Sequence, residues 1–191
     1  MAAVDAEPRM AVRCTPVMRA LALAGLIALA TAADASAAYD RTCETHAEGP
    51  DPDEVVEPDA RRDLVVGRVM VLNVRAAGRE LPSYKSRDRY LIKTPVIIRS
   101  GAPVVLRIAR RDRRHVALNF AASEQRHGQH SVRFHPCPPD TERFSDGKPL
   151  GEWTAYPGGL ILERPRCVTF EFLEEGKPTV RRRVALGKRC R

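Results

Sequence analysis

From Leu64 onward the chain sets its apolar residues in short runs closed by Gly or Pro, with no eleven-residue stretch of helical spacing. That punctuation constrains the fold most, because a helix needs apolar residues at i, i+3, i+4 and i+7 over several turns. Strands read as Leu64 to Val74, Tyr90 to Ile98, Val104 to Ala109, His115 to Phe120, Ser131 to His135, Gly159 to Glu163, Cys167 to Leu173 and Val180 to Leu186. Alternation is clearest where Val132 and Phe134 oppose Arg133 and His135, and where Val168, Phe170 and Phe172 oppose Thr169 and Glu171. Eight such strands predict an all-β fold, an antiparallel β-sandwich. Pro95 predicts an edge strand or a bulge within its run, since proline cannot donate to a ladder.

The N-terminal third has a different character. Arg9, Arg13 and Arg19 precede an uncharged run of fourteen residues from Ala20 to Ala33, and Ala35-Ser36-Ala37-Ala38 follows. These are the three parts of a secretory signal, and the run is short of the roughly 20 residues that span a bilayer as a helix. Cleavage near Ala37 or Ala38 is expected, with Met10 an alternative start. Between Asp40 and Asp63 stand nine acidic residues against three basic ones, with Pro50, Pro52 and Pro58. The division is then residues 1–38 as signal, 39–63 as an extended acidic arm lying partly on a basic body, and 64–191 as the sandwich.

Without the signal, Cys43, Cys137, Cys167 and Cys190 remain. Their spacing contains no C-x₂₋₄-C pair, so two disulfides are expected in an exported chain rather than a zinc site. Cys137 ends one strand and Cys167 begins another, which predicts a Cys137–Cys167 bridge. Cys43–Cys190 would then clip the arm to the C-terminal tail.

The string His130 to Pro138 (HSVRFHPCP), Trp153 to Leu160 (WTAYPGGL), Pro165 to Val168 (PRCV) and Leu186 to Cys190 (LGKRC) resembles a group of uncharacterised secreted proteins of actinobacteria. Asp63 to Gly67 (DLVVG), and Lys93 to Val96 (KTPV) followed by Gly101, are similar to that group too. The resemblance implies an exported β-rich domain with these four cysteines, and it supplies no catalytic residues.

Signatures of common catalysts are missing: no G-x-S-x-G, H-E-x-x-H, Walker loop or G-x-G-x-x-G occurs. His127, His130 and His135 form a candidate metal cluster, because neutral imidazoles suit zinc or copper. Trp153 and Tyr156, beside Pro157-Gly158-Gly159, form a candidate ligand loop or an end cap of the sandwich. The formal charge is +8, and of 32 basic residues only five are Lys. Arg110, Arg111, Arg113, Arg114, Arg181, Arg182 and Arg183 are candidate anion binders, since Arg grips phosphate and carboxylate bidentately. Export makes nucleic acid implausible, so an anionic cell-wall polymer or a membrane surface is the expected partner, for which the acidic arm would compete. The leading expectation is a secreted, non-catalytic binding or structural module at the cell envelope, needing no cofactor. An exported metal-binding protein and a small extracellular hydrolase are the alternatives.

Overall fold

A computed structural model describes residues 38–47, 57–78, 80–81, 85–86, 88–121 and 127–190. The expected signal lies outside the described residues except for Ala38, as does the 48–56 stretch of the acidic arm. The described strands are β1 (Tyr39–Arg41), β2 (Leu64–Val66), β3 (Val69–Val71), β4 (Lys85–Ser86), β5 (Arg89–Lys93), β6 (Val96–Arg99), β7 (Val104–Ile108), β8 (Val116–Asn119), β9 (Ser131–Phe134), β10 (Trp153–Tyr156), β11 (Gly159–Leu162), β12 (Arg166–Glu174) and β13 (Val180–Leu186). The fold is all-β, with three short 3₁₀ turns as its described helical elements.

Three sheets form. A five-stranded sheet has the order β1-β9-β7-β12-β13, and two four-stranded sheets run β10-β6-β3-β2 and β4-β5-β11-β8. All pairings are antiparallel except β1 with β9, which is parallel.

Two runs of chain pass from one smaller sheet to the other. β5 and β6 are one run interrupted at Thr94-Pro95, and β10 and β11 are another interrupted at Pro157-Gly158. β6 pairs with β10 in one sheet and β5 with β11 in the other, while Thr94 donates its N–H to the Gly158 carbonyl at 3.1 Å across the break. Pro95 therefore marks neither an edge strand nor a simple bulge. It bends an internal strand from one sheet into the next, and its carbonyl accepts from Leu72. Gly159 makes the bend possible, because a Cβ there would lie 2.1 Å from the Ile92 carbonyl oxygen. The run from Leu64 to Val74 is also divided, into the hairpin of β2 and β3.

Inward-facing residues of all three sheets build one core. Val132, Phe134, Val168, Phe170, Leu118, Leu160, Val96 and Ile98 are inaccessible or nearly so. Phe134 of β9 meets Phe120 edge-on with ring centroids 5.1 Å apart, and its centroid is also 5.1 Å from that of Tyr156 on β10. One β9 side chain thus touches groups carried by both smaller sheets.

The disulfides join Cys43 to Cys137 and Cys167 to Cys190, with Cα separations of 4.9 and 5.0 Å. The expected Cys137–Cys167 and Cys43–Cys190 pairing is wrong for a topological reason. β7 lies between β9 and β12, which therefore stand roughly 9–10 Å apart, beyond disulfide reach. Both run antiparallel to β7, so Cys137, past the end of β9, and Cys167, near the start of β12, also lie at opposite ends. β1 instead runs parallel to β9, which brings the residues just past both strands, Cys43 and Cys137, to the same end. β13 runs antiparallel to β12, which brings the tail back to Cys167.

Candidate functional site

The face of the five-stranded sheet turned away from the core is a field of paired charges. Glu171 on β12 stands opposite Arg107 of β7 on one side and Arg181 of β13 on the other. Its two carboxylate oxygens accept from Arg107 Nε at 2.8 Å and from Arg181 Nε at 2.9 Å. Burial alone would raise the Glu171 pKa, but these two guanidinium groups outweigh it and hold the carboxyl below its ordinary range. Glu174 is held down in the same way, burial being outweighed by Lys177 and Arg68. The His115 hydrogen bond lowers the pKa of Glu163.

The arginine-rich turn after β7 folds around a buried acid. Asp112 accepts from the Thr169 N–H at 2.9 Å and from Arg166 Nη2 at 3.1 Å, and Arg111 Nη2 donates to Thr169 Oγ1 at 2.7 Å. Arg113 donates to the Ile108 carbonyl and Arg182 to the Arg181 carbonyl. Arg110 is also partnered, and Arg114 acts at a distance on Glu163. Much of the predicted anion-binding set thus serves the protein's own carboxylates and carbonyls.

Arg183 differs. It stands opposite Thr169 on the same face, exposed, with no partner among the described residues. The 3₁₀ turn Ala76–Gly78 docks against its strand: Gly187 donates to the Ala77 carbonyl, and a Cβ on Gly78 would come within 2.7 Å of the Ala185 carbonyl oxygen. That close approach needs glycine and sets Arg75 beside Arg183. Together with Val184, Ala185 and Cys190 the two arginines line a concavity of about 300 Å³. Arg75 is steadied by a 2.8 Å bond to the Ala60 carbonyl, and the Cys167–Cys190 bridge holds the tail bearing exposed Lys188 and Arg189. Sequence reasoning included Arg183 but missed Arg75, whose place depends on the docking of that turn.

A second concavity, of about 480 Å³, lies over Val105 and Leu173, with Arg133 and His135 to one side and Glu174 and Glu175 to the other. Its charged groups are mostly engaged: Glu174 with Arg68 and Lys177, and His135 Nε2 with Asp40 Oδ1 at 2.7 Å.

The remaining candidates fall apart. His130 and His135 flank β9, whose four extended residues hold them about 16 Å apart. His127 and His130 are exposed, and the three rings form no ligand group among the described residues. Trp153 and Tyr156 belong to strand β10 rather than a loop. Tyr156 is fully buried and its hydroxyl donates to the His135 carbonyl, so it is unreachable for a ligand, while Trp153 is half-buried opposite Arg99. The one cluster of metal-ligating side chains among the described residues is Cys43, His46 and Cys137, two of which form a disulfide. No protein-family model, curated protein or solved structure matches the chain.

Proposed function

We propose that this chain is an exported, non-catalytic binding module of the cell envelope that takes an anionic polymer at the concavity formed by Arg75 and Arg183. The observation that carries the reading is the exposed Arg183 guanidinium, without a partner among the described residues, beside Arg75, on a surface where the other arginines largely satisfy the protein's own acceptors. Two guanidinium groups at one concavity suit a phosphodiester or carboxylate, which each can grip by a fork of N–H donors. The two disulfides support an oxidising compartment. The shifted carboxylates Glu163, Glu171 and Glu174 are all displaced downward by basic or histidine neighbours, as suits ion pairing rather than acid catalysis.

Retention on a purified polyanionic wall polymer, measured from low to high salt, tests the reading. The intact protein should bind at low salt and elute as salt screens the contact. Arg75→Ala/Arg183→Ala should weaken retention about tenfold, roughly the worth of two charge-assisted contacts. Arg114→Ala/Lys148→Ala removes equal charge elsewhere and should change it little. Absent retention at low salt, or equal losses in both double variants, would discard the site.

A further inference from the structure

Beside the arm-to-body disulfide lies an arrangement that a stabilising crosslink does not require. Cys43 and His46 are spaced C-x₂-H along the 3₁₀ turn Cys43–Thr45, and Cys137 closes the group from the chain that follows β9. A ring nitrogen of His46 and the two sulfurs all lie within 4.8 Å of one another. His46 Nδ1 faces the Cys43 carbonyl oxygen. A carbonyl only accepts, so that nitrogen carries the proton and the lone pair resides on Nε2. His46 is 9% exposed, and Nε2 is buried with no hydrogen-bond partner among the described residues. A buried, unpaired acceptor costs free energy that a cation would recover. Imidazole with its other N–H fixed on a backbone carbonyl is also how metal-ligating histidines are commonly oriented. Phe144 stacks on the ring at a centroid distance of 5.0 Å and covers it.

We propose that Cys43, Cys137 and His46 form a binding site for a thiophilic d¹⁰ cation, zinc or copper(I), which the disulfide masks and reduction opens. A dithiol reductant supplies two electrons and two protons, the S–S bond breaks to give two thiols, and the dithiol closes to its own disulfide. Zinc then displaces both thiol protons and takes the Nε2 lone pair. Two thiolates and one imidazole leave a fourth tetrahedral position for water. With zinc–sulfur and zinc–nitrogen bonds of about 2.3 and 2.0 Å, the two sulfurs part once the S–S bond is broken and the His46 ring turns to present Nε2 between them.

The test uses the chain carrying Cys14→Ser, Cys167→Ser and Cys190→Ser, so that only this pair of thiols remains. After anaerobic reduction with dithiothreitol and its removal, zinc is titrated against a chromophoric chelator. One equivalent should bind with release of two protons, and at least tenfold more tightly than to the oxidised form. His46→Ala should lose at least tenfold in affinity, and His46→Cys should restore it, which a merely structural histidine would not predict. Binding within twofold of the parent in His46→Ala, or equal binding by the oxidised form, overturns the site. Should the serine variants fail to fold, alkylation mapping on the unaltered reduced chain answers the same question. Zinc should slow modification of Cys43 and Cys137 at least tenfold and leave Cys167 and Cys190 unprotected; protection of the latter pair alone sinks the proposal.

Discussion

The guanidinium of Arg41 lies over the ring of Tyr156, 5.8 Å from its centroid, although the two residues belong to different sheets. Arg41 comes from β1, and its terminal nitrogens donate to the carbonyls of Phe120, just past β8, and of Thr45. Tyr156 comes from β10 and donates to the His135 carbonyl beyond β9. A single buried cation thereby ties all three sheets together. Burial lowers the Arg41 pKa and raises that of the Tyr156 hydroxyl.

Replacing Arg41 by Met keeps the apolar length and strands the carbonyls that it served. A loss of about 2–4 kcal/mol is expected in urea unfolding, from unsatisfied buried acceptors. Tyr156→Phe should cost about 1 kcal/mol, one hydrogen bond. If the Met variant is within 0.5 kcal/mol of wild type, roughly the effect of an ordinary surface change, the clamp is not structural.

Glu171→Gln should destabilise the protein by about 1–3 kcal/mol at pH 7, toward the lower end because Arg181 is largely exposed. The sign of the pH dependence follows from the lowered folded-state pKa. The carboxylate's contribution is fully present above the unfolded value of about 4.3 and is lost as pH falls through the folded value. The gap between wild type and variant should therefore narrow toward pH 3. A gap that stays constant from pH 7 to pH 3 would show that protonation of Glu171 is not linked to folding.

The two disulfides should differ in worth. In the chain-entropy picture, closing loops of 94 and 23 residues stabilises by about 4.7 and about 3.4 kcal/mol. Cys43→Ser/Cys137→Ser should consequently melt lower than Cys167→Ser/Cys190→Ser. Peptide mapping without reduction checks the connectivity itself, and recovery of a Cys137–Cys167 peptide would refute it.

Gly159→Ala is expected to cost about 3 kcal/mol, because the new methyl meets backbone rather than a yielding side chain. Chemical denaturation measures it directly. A near-neutral result would mean that the bend between the smaller sheets can relax.

Local pattern made most strands legible, because burial alternates wherever one face is solvated. Val132 and Phe134 against Arg133 show this directly. β12 shows the limit: Thr169 and Glu171 look solvent-facing, yet both are buried under arginines contributed by neighbouring strands and by the turn after β7. β10 escaped notice because Thr154 occupies a buried position, where its hydroxyl accepts from the Cys137 N–H at 2.8 Å. Disulfide connectivity depends on which strands are neighbours, and that is decided by long-range pairing absent from any local window. Arg75 was invisible for the same reason, and the histidines misled because closeness in sequence is distance along an extended strand.

β1 is the first described strand in the chain, yet its partner β9 lies almost a hundred residues downstream. A chain threaded through a membrane from its N-terminus would deliver Tyr39–Arg41 long before the ladder that receives it exists. The Cys43 thiol would wait for Cys137 over the same interval, without its native mate, while β2 to β9 emerged. In a chain threaded that way, docking of the first strand would wait for β9, and the speed of translocation would set how long that thiol must escape capture by another sulfur.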